Sequence, residues 1–136
     1  SSNGFVKLKI SGDTILYYPQ KNLYIFPSGI QIKSFDSSAN LISTLVADSA
    51  NYFGDEEVVF FFQNVIVINT QKYDTLFAED LQINSRKDSI STNNKVHLVT
   101  KDQNIIGTGM FSTVNLEKIK IFNPKGFLFS NEDTLK

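Results

Sequence analysis

A unit of about 32 residues recurs four times along nearly the whole of this 136-residue chain, and no other feature constrains the fold as strongly. Each unit has a small or acidic start, a short apolar strand, a polar turn, a second strand, and an Asn or Gly that leads into a third. The starts are Asp13-Thr14, Ala47-Asp48, Ala78-Glu79-Asp80 and Phe111-Ser112; the later anchors are Gly29-Ile30, Asn64-Val65, Asn94-Lys95 and Lys125-Gly126. Start spacings are 35, 32 and 32 residues, and anchor spacings 35, 30 and 32. Such periods mark stacked supersecondary units that cannot bury their apolar face alone. One domain over 1–136 is predicted, with repeats near 10–45, 46–76, 77–107 and 108–136.

The units read as strands throughout. Phe5-Val6-Lys7-Leu8-Lys9-Ile10 alternates, so Val6, Leu8 and Ile10 share one face and Lys7 and Lys9 the other. Gln31 and Lys33 face away from Ile30 and Ile32, His97 from Val96 and Leu98, and Lys118 and Lys120 from Ile119 and Ile121. Clusters of Gly, Asn, Asp, Ser and Pro separate these runs at hairpin spacing, as in an all-β sandwich or barrel. Ala78-Glu79-Asp80-Leu81 has helical propensity, but the repeat register favours a strand there.

Aligning the repeats groups Ile25, Phe60, Ile90 and Ile121 in one column. Ile66, Val96 and Phe127 form a second, with Ile68, Leu98 and Phe129 beside it. The expected result is a curved sheet with an apolar interior and a polar outside. Val58–Phe62 and Val65–Ile68 are apolar on both faces, which implies either a central strand covered on both sides or one side lining a ligand groove.

Chemistry is constrained mainly by what is missing. There is no Cys, which excludes disulfides, thiolate metal sites and cysteine nucleophiles, and His97 is the only histidine. No Gly-rich phosphate loop, nucleophile elbow or metal-spaced cluster is present, so an enzyme is not expected, and neither is a metal or cofactor. Asp55-Glu56-Glu57 reads as a solvated hairpin tip. A net charge of −1 with scattered Lys and Arg gives no nucleic-acid footprint. No run approaches the ~20 apolar residues of a membrane-spanning helix. The abrupt opening Ser1-Ser2-Asn3-Gly4 is read as a mature or trimmed start, with an upstream targeting or anchoring segment expected.

The ordered motifs Asp13–Tyr18, Leu23–Ile30, Phe35-Asp36, Leu45–Phe53, Asn64–Val67, Thr75–Leu81 and Ile106–Phe111 resemble the OstA-like β-jellyroll family of the lipopolysaccharide export system. Within it they are most similar to LptC-type members of Bacteroidetes-type bacteria. They follow a repeating scheme of an acidic start with aromatics, a turn, Gly/Asn-Val-x-Val, and a late Gly-x-Gly-Phe, over about Ile10 to Gly126. Leu81-Gln82-Ile83-Asn84 is aliphatic where the family often has an aromatic, and Met110 interrupts the late motif. The resemblance implies a twisted, open, V-shaped jellyroll in the periplasm, tethered to the inner membrane by an N-terminal segment outside this chain. It implies that lipopolysaccharide is taken from an inner-membrane ABC transporter complex and passed to similar jellyrolls joined edge to edge.

A carrier of this kind needs a long apolar trough, and Phe60, Ile66, Ile68, Ile90, Val96, Leu98, Ile119 and Ile121 are the candidate lining for the acyl chains of lipid A. An open sheet also has edge strands able to pair with another jellyroll. The candidates are the first strand, with Phe5, Val6, Lys7 and Leu8, and the last, with Phe127, Leu128 and Phe129. The alternative is a structural or adhesive β-repeat module with a fully packed interior and no lipid ligand.

Overall fold

A computed structural model describes residues 7–114 and 116–128, which form one twelve-stranded antiparallel sheet. Its logic is simplest in rungs, each rung being one passage of the chain across the sheet. The first rung is β1 (Lys7–Ser11) followed by β2 (Leu16–Tyr18); the second is β3 (Leu23–Phe26) and β4 (Ile30–Phe35); the third is β5 (Leu41–Ala47) and β6 (Ser49–Phe53). Four long strands then cross without interruption: β7 (Val58–Asn69), β8 (Asp74–Asn84), β9 (Ser89–Val99) and β10 (Gln103–Thr113). The last rung is broken again, into β11 (Ile119–Ile121) and β12 (Lys125–Leu128). Every rung pairs antiparallel with its neighbours in sequence, so the chain is an up-and-down meander.

The rungs reverse where the sequence supplies turn chemistry. The Asp36 carboxylate accepts the amides of Ser38 and Asn40 (both 2.9 Å), and these bonds hold its pKa below the ordinary aspartate value. Asn69 Oδ1 accepts the amides of Gln71 and Lys72, and Thr100 Oγ1 those of Asp102 and Gln103. These are local side-chain to backbone bonds that stand in for the ladder where it stops.

All the rungs bend or break along a common line. The breaks are Gly12–Ile15, Pro27–Gly29, Asp48 and Phe122–Pro124 in the interrupted rungs. In the continuous strands the register shifts between Phe62 and Val65, between Ala78 and Gln82, and between Thr108 and Met110. Gln63 and Asn64 adopt φ of 68° and 52°, and Gly109 a φ of 101°, a conformation that bulges a strand and bends it. Side chains pin the line: Asn64 Nδ2 donates to Asp48 Oδ2 (2.7 Å), and Asn94 Nδ2 donates to Asp80 Oδ2. These are acidic starts and Asn anchors of the sequence pattern. In the second and third units the start and anchor therefore have a mechanical meaning, a clamp between adjacent rungs at the fold line.

The line divides the sheet into two leaves. One holds β1, β4, β5, β12 and the adjoining halves of the long strands; the other holds β2, β3, β6, β11 and the remaining halves. A sheet needs a cover for its apolar face, and among the described residues there is only a 3₁₀ turn, Pro19–Lys21, besides strands. The leaves cover each other. Ile30, Leu45, Ala47, Val65, Val67, Leu76, Ala78, Val96 and Leu98 of the first leaf join Ala50, Phe61, Leu81, Ile90 and Met110 of the second in one buried cluster. Ile121 crosses from the second leaf to lie over Gly107 of the first. The result is an all-β, open jellyroll, as the sequence led us to expect.

Candidate functional site

Register places one apolar row across the inner face of each leaf. In the first leaf it runs Ile10, Ile32, Leu45, Val67, Leu76, Leu98, Ile105, each directly opposite the next. In the second it runs Tyr17, Tyr24, Tyr52, Val59, Ile83, Ile90, Ser112, Ile119. Neither row holds a charge.

Exposure along these rows changes systematically. On the first rung Ile10 is 53% exposed and Tyr17 51%. On the second, Ile32 and Tyr24 are half-buried. In the middle of the first row Leu45, Val67, Leu76 and Leu98 are all buried; in the second row Tyr52, Val59 and Ile83 are half-buried and Ile90 and Ser112 buried, and Ile105 and Ile119 toward the last rungs are half-buried again. The leaves therefore close on each other in the middle and leave the inner face open to solvent at the first rung. Leu8, Ile15 and Leu16 add to the exposed apolar surface of that rung. Large exposed apolar patches of this kind mark binding surfaces.

The structure divides the residues singled out from the sequence. Ile90, Val96 and Leu98 lie on the inner face and are buried, and Ile119 and Ile121 lie there half-buried. Phe60, Ile66 and Ile68 lie on the outer face, which corrects the expected continuous column. Phe60 pairs with Gln82 and Asn51, Ile66 with Phe77 and Val46, and Ile68 is 40% exposed. The inner partners on β7 are Val59, Phe61, Val65 and Val67. The cause is a slip of one residue, which reverses every side chain of a strand. β7 is apolar on both faces, so its sequence could not reveal the slip.

The outer apolarity of β7 has a local role. Phe53 and Phe60 meet edge to face at 5.8 Å, and Phe60 and Phe62 stack at 6.5 Å. Phe60 and Phe62 flank a cavity of about 240 Å³ that Asp80, Thr92 and Asn94 also line. Thr92 Oγ1 donates to Asp80 Oδ1 at 2.6 Å. Replacing Asp80 with Ala leaves both donors without their acceptor and is expected to cost about 1–2 kcal/mol. A shift in the urea midpoint at unchanged m-value measures it. His97 is on the outer face as expected, tilted against Phe77 and hydrogen-bonded to Asn104.

The candidate docking edges fall on real edges where they are described. Among the described residues β1, with Lys7 and Leu8, pairs only with β4, and β12, with Phe127 and Leu128, pairs only with β10. Phe5, Val6 and Phe129 lie outside the described residues. Sequence reasoning missed the tyrosine row at the mouth. Tyr17, Tyr24 and Tyr52 were visible as aromatics of the repeat motif, but their lateral alignment needs the register. Among the described residues no group of His, Asp and Glu could hold a metal, and no helix is long and apolar enough to cross a membrane.

Fold and inner face together define a folded β-jellyroll whose apolar interior opens at one edge. Residues 1–124 match the lipopolysaccharide-assembly, LptC-related family, and the chain belongs to that family. It is thereby a lipopolysaccharide transport component. The crystal structure of LptH from Pseudomonas aeruginosa, described as the LptA-homologous periplasmic component of the lipopolysaccharide transport device, has the same fold. Its TM-score is 0.72 at 5% identity, covering 91% of this chain and 96% of LptH. No curated protein matches the chain by sequence.

Proposed function

We propose that this protein is a periplasmic carrier that shelters the acyl chains of lipopolysaccharide between its two leaves and passes the lipid to a neighbouring jellyroll. The observation that carries this reading is the exposure gradient along the inner rows. An apolar interior that is closed in the middle and open at the first rung offers hydrocarbon a way in without exposing the core. Each CH₂ removed from water is worth ~0.8 kcal/mol, so a short stretch of each chain suffices for capture. The lining is apolar and without charged anchors, so the lipid can slide onward.

Ile10 and Ile32 are the entry residues of this reading, with Ile90, Val96, Leu98, Ile119 and Ile121 lining the interior reached when the leaves part. Lipid arrives from the inner-membrane ABC transporter complex, and the tether to that membrane lies N-terminal to the domain; both rest on the family. The first and last rungs pair by strand addition with other jellyrolls of the bridge. A structural module with no ligand would instead bury its first-rung inner face.

A photo-crosslinking amino acid at Ile10 or Ile32 is expected to capture lipopolysaccharide, whereas the outward neighbours Lys9 and Lys33 are not. Capture only from Lys9, Lys33, Phe60 or Ile66 would overturn the reading. For the far edge, ending the chain after Gly126 removes Phe127 and Leu128 from their pairing with Asn104 and Gln103. Binding to the jellyroll that docks there is expected to be lost, and intact binding would exclude β12 as the docking strand.

A further inference from the structure

The two leaves differ in chemistry at the mouth. The inner face of the first leaf offers Leu8, Ile10 and Ile32, purely aliphatic. The second leaf offers Tyr17, Tyr24 and Tyr52 on three successive rungs. Tyr17 and Tyr24 stack with centroids 4.5 Å apart, and Tyr24 and Tyr52 follow at 5.7 Å, tilted by 36°. Among the described residues this ladder begins on an edge strand, β2, and ends beside the half-buried Val59, two residues from the fully buried Phe61. Core packing does not require it, because Tyr17 is half exposed and Tyr24 and Tyr52 are only part-buried.

Tyrosine combines an apolar ring with a hydroxyl that both donates and accepts, and it collects where one end of the side chain is in an apolar medium and the other wet. The adjacent Tyr17 hydroxyl, together with desolvation, holds the pKa of Tyr24 above the ordinary tyrosine value, so Tyr24 keeps its proton as a donor at neutral pH.

We infer that the Tyr17–Tyr24–Tyr52 ladder is a recognition site for the ester and amide carbonyls that join acyl chains to their sugar headgroup. This rests on the carrier reading above and gives it a chemical specificity. Acyl chains lie against Leu8, Ile10 and Ile32, and their linking carbonyls face the hydroxyl-bearing leaf. The rungs carry the same group at each step, so an acylated lipid moving inward exchanges one hydroxyl for the next. A plain hydrocarbon has no use for them.

The test is a comparison of two probes on the wild type, on Tyr17→Phe, and on the triple Tyr→Phe variant at 17, 24 and 52. One probe is lipid A, which carries the carbonyls; the other is diphenylhexatriene, a fluorescent hydrocarbon with no polar atom. Rings and packing survive the change, and circular dichroism checks the fold. Lipid A affinity is expected to fall about tenfold in the triple variant, the loss of one to two net hydrogen bonds, while diphenylhexatriene affinity stays within about twofold. Tyr17→Phe, on the exposed first rung, is expected to show part of the same loss. Equal lipid A affinity in all three proteins would overturn the assignment with the carrier reading intact. A parallel loss for both probes would also overturn it, by making the ladder a packing feature. A wild type that takes up neither probe would remove the carrier reading together with the ladder's role.

Discussion

Replacing Phe61 with alanine is expected to cost about 3–5 kcal/mol, the upper range for truncating a buried aromatic. Phe61 has no exposed surface and sits beside the fold line, between Ala50 and Leu81 in register. Its partner Ala50 is equally buried and has no side chain long enough to fill the void. The bulge at Gln63 and Asn64 follows immediately, so backbone collapse toward the cavity would also strain the bend. Phe62→Ala is the internal control. Phe62 is on the outer face and 37% exposed, and its loss is expected to cost clearly less. Equilibrium unfolding in urea separates the two, and equal costs would contradict the face assignment on which the inner rows depend.

The second large effect concerns Gly107, on the first leaf under the last rung. A Cβ built there would lie 2.2 Å from Ile121 Cγ2 and 2.7 Å from the Phe122 carbonyl oxygen. The side chain could swing away, but the carbonyl cannot, because Thr108 donates its amide to that same oxygen at 2.9 Å. Gly107→Val is therefore expected to push β11 and β12 off β10 at a cost of about 1–3 kcal/mol, the range for overpacking. Hydrogen exchange would show the effect as lost amide protection over residues 118–128, with β7 to β9 retained. If the proposed strand addition uses this edge, a last rung that has come away also loses binding of the partner jellyroll. Uniform loss of protection across the sheet would mean that the last rung is part of the same cooperative unit as the core.

Much of this architecture was legible in the sequence, because alternation fixes faces wherever it is clean. Leu8 and Ile10, Ile30 and Ile32, Val96 and Leu98, and Ile119 and Ile121 all point inward as their polar neighbours implied. The recurring acidic start and Asn anchor were also visible, although their role as the clamps Asp48–Asn64 and Asp80–Asn94 required the neighbouring rung. What failed was β7. Its residues satisfy both faces at once, and its inner positions Val59, Phe61, Val65 and Val67 keep one parity through the bulge at Gln63 and Asn64, so nothing within the strand marks which set faces inward. A column drawn by repeat alignment therefore carried Phe60, Ile66 and Ile68 to the wrong side. The mouth was illegible for a different reason. Its position depends on which rungs lack a neighbour, a property of the assembled sheet, and the tyrosine ladder depends on lateral register, across the β2–β3 turn for Tyr17 and Tyr24 and between the distant strands β3 and β6 for Tyr24 and Tyr52.

The isoleucines allow a direct test of the central claim that hydrocarbon enters between the leaves at the first rung. Ile10, Ile32, Ile83 and Ile90 lie on the inner face, and Ile66, Ile68 and Ile106 on the outer. Methyl spectra recorded with a lipid spin-labelled at the end of an acyl chain would report which set approaches the label. The folded-sheet account predicts strong broadening at Ile10 and Ile32, extending to Ile83 and Ile90, with the Ile66, Ile68 and Ile106 signals unchanged. Broadening confined to Ile66, Ile68 and Ile106 would place the lipid on the outer face and contradict it.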